Sequence, residues 1–151
     1  MDNINIYVES SNTSSFNIQQ QIIDLQYEVM YREQQNPRSF ENFSNDMQPL
    51  LNHPDTIVGY ATIDNQVVWA IIWSSIACYQ EIYNDDIHRE IYKIWWKDIY
   101  YFDSFFIKKN FRQQWIWLQL YSKWEMYVFG NKYDILGLVC DMKKPYLQKW
   151  Y

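Results

Sequence analysis

Glycine is almost missing from this chain: 3 residues in 151, where an average usage of ~7% would supply about ten. Neither a P-loop nor a dinucleotide fingerprint occurs. Cysteine is scarce too. Cys78 and Cys140 lack the spacing of a metal site and read as free thiols of a reducing cytosol. The two histidines, His53 and His88, stand at unrelated spacings, so no Ser-His-Asp or Cys-His arrangement can be argued. Asp85-Asp86-Ile87-His88 reads as a solvated turn rather than a metal centre, and no metal is expected. Positive charge is in deficit, with 13 Lys and Arg against 18 Asp and Glu and a net charge of -5. A sequence pI of about 4.9 argues against a dedicated nucleic-acid binder, whose phosphate contacts need clustered cations. The longest apolar run, near Val67 to Cys78, is interrupted by serines and too short to cross a bilayer. No basic and apolar leader opens the chain. The expectation is a cytoplasmic protein without membrane or nucleic-acid partners.

What the chain has in excess is aromatic: 14 Tyr, 8 Phe and 8 Trp. Its length suits a single domain, residues 1–151. Ile4 to Val8 alternates as a first strand, and Ser10 to Ser15 is a polar loop. Asn17 to Tyr31 carries apolar residues at helical spacing, with Ser15 or Asn17 as its cap and Pro37 ending the region. Ser39 to Leu51 predicts a second short helix that starts near Ser39 and is limited by Pro49. Asp64-Asn65 between two β-rich runs predicts a hairpin. Cys78 to Ile94 reads as a charged loop with a short helix, and Gly130-Asn131-Lys132 as a helix stop. The order β, α, α, β, β, β, α, β, α predicts an α/β (α+β) fold, a mixed, mostly antiparallel central sheet flanked by helices on both faces.

The most informative segment runs from Lys97 to Trp117, KDIYYFDSFFIKKNFRQQWIW. Its first half is apolar enough to be buried on both faces, Lys108, Lys109 and Asn110 end that strand, and Leu118, Leu120 and Tyr121 continue at helical spacing. Arg112-Gln113-Gln114-Trp115-Ile116-Trp117 therefore sits where a turn becomes a helix N-terminus. This resembles the acetyl-CoA signature of the GNAT superfamily of acyl-CoA N-acyltransferases, Gln/Arg-x-x-Gly-x-Gly/Ala. Thr56 to Ser74 resembles the family's hairpin, with Trp69 where its second strand has a glycine. Tyr133 to Val139 resembles its fifth strand and Asp141 to Tyr151 the helix after it. The resemblance covers Thr56 to Tyr151. The family's usual Gly-Phe and further strands do not follow Tyr151, which predicts an open edge at the fifth strand, able to support a homodimer.

The resemblance implies an N-acetyltransferase that binds acetyl-CoA and transfers its acetyl group to a primary amine by direct attack. In that reading Phe105, Phe106 and Ile107 act through main-chain groups. Arg112, Gln113, Gln114, Trp115, Ile116 and Trp117 form the diphosphate turn, in which N–H groups and the helix dipole attract the phosphates. Asp103 is the candidate base and Tyr151 the candidate acid. The acceptor is a small-molecule or peptide amine, and the negative net charge suits a cationic one.

Trp69, Trp115 and Trp117 contradict that reading sterically, because glycine lets the turn approach a phosphate where a Cβ stands in the way. Two explanations remain open at this point. UGA codons meaning glycine are written here as tryptophan, with Trp73, Trp96 and Trp124 further candidates at strand ends or turns; or the chain is an inactive GNAT-like interaction module whose groove Trp115 and Trp117 fill. A binding surface built on exposed aromatics is a third, weaker reading.

Overall fold

The computed structural model describes residues 4–33, 35, 37–83, 99–112, 116–130 and 135–138. Its centre is the hairpin expected around Asp64-Asn65. Both turn residues have positive φ, 49° and 62°, the two-residue geometry whose twist matches the strands it joins. Strands β2 (Thr56–Ile63) and β3 (Gln66–Ser75) flank the turn. Every residue of β2 and all of β3 except Gln66 are buried, so this pair is covered on both faces. Strand β1 (Asn5–Ser10) pairs with β2, and β4 (Ile99–Ile107) with β3, all antiparallel. Strand β5 (Ile135–Leu138) adds to β4 in parallel, giving one sheet in the order β1-β2-β3-β4-β5. The mixed, mostly antiparallel sheet matches the sequence-based expectation.

Helices cover both faces. Helix α1 (Phe16–Tyr27) is capped by Ser15, whose Oγ accepts from the Ile18 N–H at 3.3 Å, one of the orphan donors of a helix start. The expected loop before it contains a short 3-10 turn, Ser11–Thr13. The chain continues past α1 as a π turn, Glu28–Arg32, which periodicity alone did not separate from the helix. Helix α2 (Phe40–Asn52) is capped by Ser39, whose Oγ accepts from Asn42 N–H at 3.2 Å. Pro49 lies in the last turn of α2, which ends at Asn52, one residue beyond the expected Leu51. A proline in a helix costs ~3 kcal/mol. The following Leu50 and Leu51 are 1% and 0% exposed, and burying two such side chains, at roughly 1.5–3 kcal/mol each, offsets that cost. Helix α3 (Ile76–Tyr83) starts directly after β3. Residues 84–98, including Asp85 and His88, lie outside the described residues.

Side chains from α1, α2 and α3 pack with Val58, Tyr60, Val67, Ala70, Ile72 and Phe106 on one face of the sheet. Helix α4 (Ile116–Gly130) covers the other, where Leu120 and Trp124 meet Ile57, Ala61, Ile63, Val68, Trp69, Ile71 and Trp73. Trp124 was expected at a strand end or turn. It stands instead in the body of α4, fully buried, because Leu120 and Trp124 at i, i+4 form the inward stripe of that helix. Gly59 faces α4: a Cβ there lies 2.6 Å from Ile71 Cγ2 and 3.0 Å from Leu120 Cδ1. A hydrogen atom at this position sets how closely helix and sheet approach. No helix among the described residues is long and apolar enough to cross a membrane.

Candidate functional site

The site is built around the second half of β4. Pairing with β3 runs Ile107↔Trp69, Phe106↔Ala70, Phe105↔Ile71 and Ile72↔Ser104, then jumps to Trp73↔Phe102. Asp103 is the extra residue of this bulge. A bulge bends its strand and raises the local twist, and here it coincides with the end of the parallel pairing, which extends only from Ile99↔Ile135 to Phe102↔Leu138. From Asp103 to Ile107 the edge of β4 turned toward β5 has no strand partner among the described residues.

The bulge on the opposite neighbour ties down the far end. Register shifts between Ala61 and Thr62 leave Val68 as the extra residue of β3, and Val68 O accepts from Lys108 N–H at 2.9 Å. Lys109–Phe111 then form a 3-10 turn, closed by Phe111 N–H donating to Lys108 O at 2.8 Å. Arg112 is extended, with φ -65° and ψ 151°, and α4 begins at Ile116. A strand, a 3-10 turn and, from Ile116, a helix follow one another along this segment.

The proposed residues fall into three groups. Phe105 and Ile107 are half-buried on the α4 side, and Phe106 is buried on the other face. Trp69 packs edge-on against Phe105 with centroids 5.4 Å apart. Ile116 and Trp117 open α4, and Asp103 occupies the β4 bulge, as backbone positions. Gln113, Gln114, Trp115 and Tyr151 lie outside the described residues, as do the expected final helix and Trp96. Arg112 is half exposed. Its Nε donates to Ile107 O at 3.3 Å, and its Nη2 pairs with the carboxylate of Glu33, just beyond the π turn. Nothing in the sequence pointed to Glu33, since it lies 79 residues from Arg112.

Three tryptophans lie between the sheet and α4. Trp69 and Trp124 are 0% exposed, and their indole N–H groups find no acceptor among the described residues. Such an unpaired buried donor costs about 1–3 kcal/mol. Trp73 stacks on Trp124 with centroids 3.6 Å apart and planes 12° apart, closer to a face-to-face sandwich than the offset pairing that aromatic quadrupoles prefer. Elsewhere, burial pushes the Cys78 thiol up to about 11, against hydrogen bonds with Thr56 and Ser74 that lower it. It is protonated at neutral pH and is no nucleophile. Burial, then the hydrogen bond and charge of Glu9, raises Tyr60; burial and then Glu125 raise Tyr121 on α4.

No family model matches the chain, and no curated protein matches it by sequence. Solved structures match it closely in shape. An acyl-CoA N-acyltransferase from Pseudomonas aeruginosa aligns with a TM-score of 0.68 at 14% identity over 98% of this chain and 87% of its own. The aminoglycoside N-acetyltransferase AAC(6')-Iy in complex with CoA aligns at 0.66 and 11% identity, over 99% and 85%. The aminoglycoside acetyltransferase meta-AAC0020 from an uncultured soil metagenomic sample, in complex with sisomicin, aligns at 0.62 and 17% identity, over 97% and 84%. With its bulged β4, its parallel β5 and the helix that begins at Ile116, this chain has the fold of the GNAT acyl-CoA N-acyltransferases.

Proposed function

We propose that the protein is an N-acetyltransferase that uses acetyl-CoA to acylate a primary amine by direct attack. One observation carries the reading: β5 joins β4 in parallel up to Phe102, the bulge at Asp103 bends β4 just beyond, and the chain leads through a short turn toward a helix that begins at Ile116. The cofactor fits this backbone, since a helix start suits a diphosphate. Acetyl-CoA, when bound, supplies an acyl thioester. A main-chain N–H of the Phe105, Phe106 and Ile107 segment would polarise its carbonyl, and Arg112 and the turn through Gln113, Gln114, Trp115, Ile116 and Trp117 would hold the phosphates. Asp103 accepts the amine's proton directly or through a water, and Tyr151 donates to the leaving thiolate. A small-molecule or peptide amine is the acceptor. Cationic amines are the preferred class, in keeping with the net charge of -5 and with the aminoglycoside complex among the structural neighbours.

The glycine reading of the tryptophans gains support at Trp69, whose buried indole N–H, like that of Trp124, lacks an acceptor among the described residues. It loses support at Trp124, where a mid-helix glycine costs about 1 kcal/mol relative to alanine. We therefore assign native glycine to positions 69, 115 and 117 and leave Trp124 as a packing residue. Titration calorimetry with acetyl-CoA tests both proposals. The chain carrying Gly at 69, 115 and 117 is expected to bind more tightly than the chain as written and to release CoA thiol in the presence of amines. Equal affinity in the two chains overturns the glycine assignment. Absence of binding in both overturns the acetyltransferase and favours the interaction module with Trp115 and Trp117 in its groove.

A further inference from the structure

Arg112 stands at the start of the proposed diphosphate turn, and its charge is already engaged. Its Nη2 meets Glu33 Oε2 while its Nε donates to Ile107 O at 3.3 Å. The two side chains are 39% and 23% exposed, so the pair lies at the surface and is open to competition by a solvated anion. Glu33 reaches this place through an irregular stretch of backbone: its N–H donates to Glu28 O at 2.9 Å, five residues back, closing the π turn that prolongs α1. Single π turns inside helices commonly occur where a side chain must be re-aimed for function.

A guanidinium offers five donors in a planar fork, and carboxylate and phosphate both match it. Two anions cannot occupy one edge of that fork together. We infer that Glu33 is a built-in competitor for the cofactor's phosphate: it holds Arg112 in place in the free protein and must release it when the diphosphate binds. This rests on the acetyl-CoA reading above. In physical terms the free state keeps the arginine ordered beside the turn, and binding exchanges one carboxylate for a more highly charged phosphate. Part of the intrinsic attraction between Arg112 and the diphosphate is spent on opening the pair.

Replacing Glu33 by Gln removes the charge and keeps the shape. The experiment measures KM and kcat, or calorimetric Kd, for acetyl-CoA and for the phosphate-free analogue S-acetylpantetheine, together with the thermal midpoint. The expected result is a KM or Kd for acetyl-CoA about two- to five-fold lower in E33Q, the size of a partly exposed ion pair. Values for S-acetylpantetheine and kcat are expected to stay unchanged. In an Arg112→Gln background the Glu33→Gln change is expected to have no effect, because the two residues act through each other. An equal shift for both thioesters, unchanged affinity for acetyl-CoA, or weaker binding with a lowered midpoint assigns Glu33 a merely structural role and overturns the inference. If acetyl-CoA binds neither protein even when residues 69, 115 and 117 are Gly, the cofactor reading itself fails.

Discussion

Replacing Gly59 by Ala tests whether the depth at which α4 sits on the sheet is set by one missing methyl group. The new Cβ lies 2.6 Å from Ile71 Cγ2 and 3.0 Å from Leu120 Cδ1. Neither neighbour has room to withdraw, since Ile71 is 1% and Leu120 0% exposed, and a β-branched side chain is stiff at χ1. Overpacking of this kind costs about 1–3 kcal/mol. The smaller entropy of an unfolded chain with Ala instead of Gly returns roughly 0.4–1 kcal/mol, leaving a net loss of up to about 2.5 kcal/mol. Urea unfolding should show a lower midpoint at unchanged slope. Because α4 carries the proposed phosphate turn at its start, acetyl-CoA affinity should fall along with stability. Ile71→Leu removes the offending Cγ2 at constant volume, so the double variant should recover part of both losses, with a coupling of about 0.5–3 kcal/mol. A midpoint for Gly59→Ala at or above that of the parent, or additive behaviour of the pair, would refute the close approach of helix and sheet.

Two further outcomes follow from the same packing. Pro49→Ala restores one amide inside α2 and should raise the urea midpoint by the equivalent of about 1–2 kcal/mol; an unchanged or lowered midpoint would mean that α2 depends on the proline's fixed φ. Cys78 is pushed up to about 11 from the 9.0 of a free thiol. Below pH 9 it is protonated folded or unfolded; between 9 and 11 the unfolded chain loses the proton first, so stability falls as pH rises through that window. Thermal midpoints from pH 8 to 10.5 should fall more steeply in the parent than in Cys78→Ala, and parallel slopes would contradict the buried thiol.

Much of the fold was legible because the responsible residues are local. Ser15 and Ser39 announce helix starts through side-chain oxygens that reach the third residue on. Asp64-Asn65 announce the hairpin because these side chains tolerate the positive φ that a two-residue turn demands. The strand-turn-helix order around Arg112 was readable from hydrophobic period alone. What was not legible is set by tertiary packing. The bulges at Val68 and Asp103 add one residue to a strand, which no alternation pattern reveals. Trp124 reads as a turn residue until Leu120, one helical turn earlier, shares its face. The Glu33–Arg112 pair joins two segments that meet only in three dimensions. The candidate base Asp103 is named from the resemblance; the structure adds that it is the bulge residue of β4.

Amide hydrogen exchange with and without acetyl-CoA most directly tests whether main-chain groups from Ser104 to Leu118 hold the cofactor. Slower exchange in peptides covering 104–107 and 108–118, reduced when S-acetylpantetheine replaces acetyl-CoA over 108–118 but not over 104–107, is the predicted result. Protection confined to other segments, or none at saturating acetyl-CoA, would contradict the account.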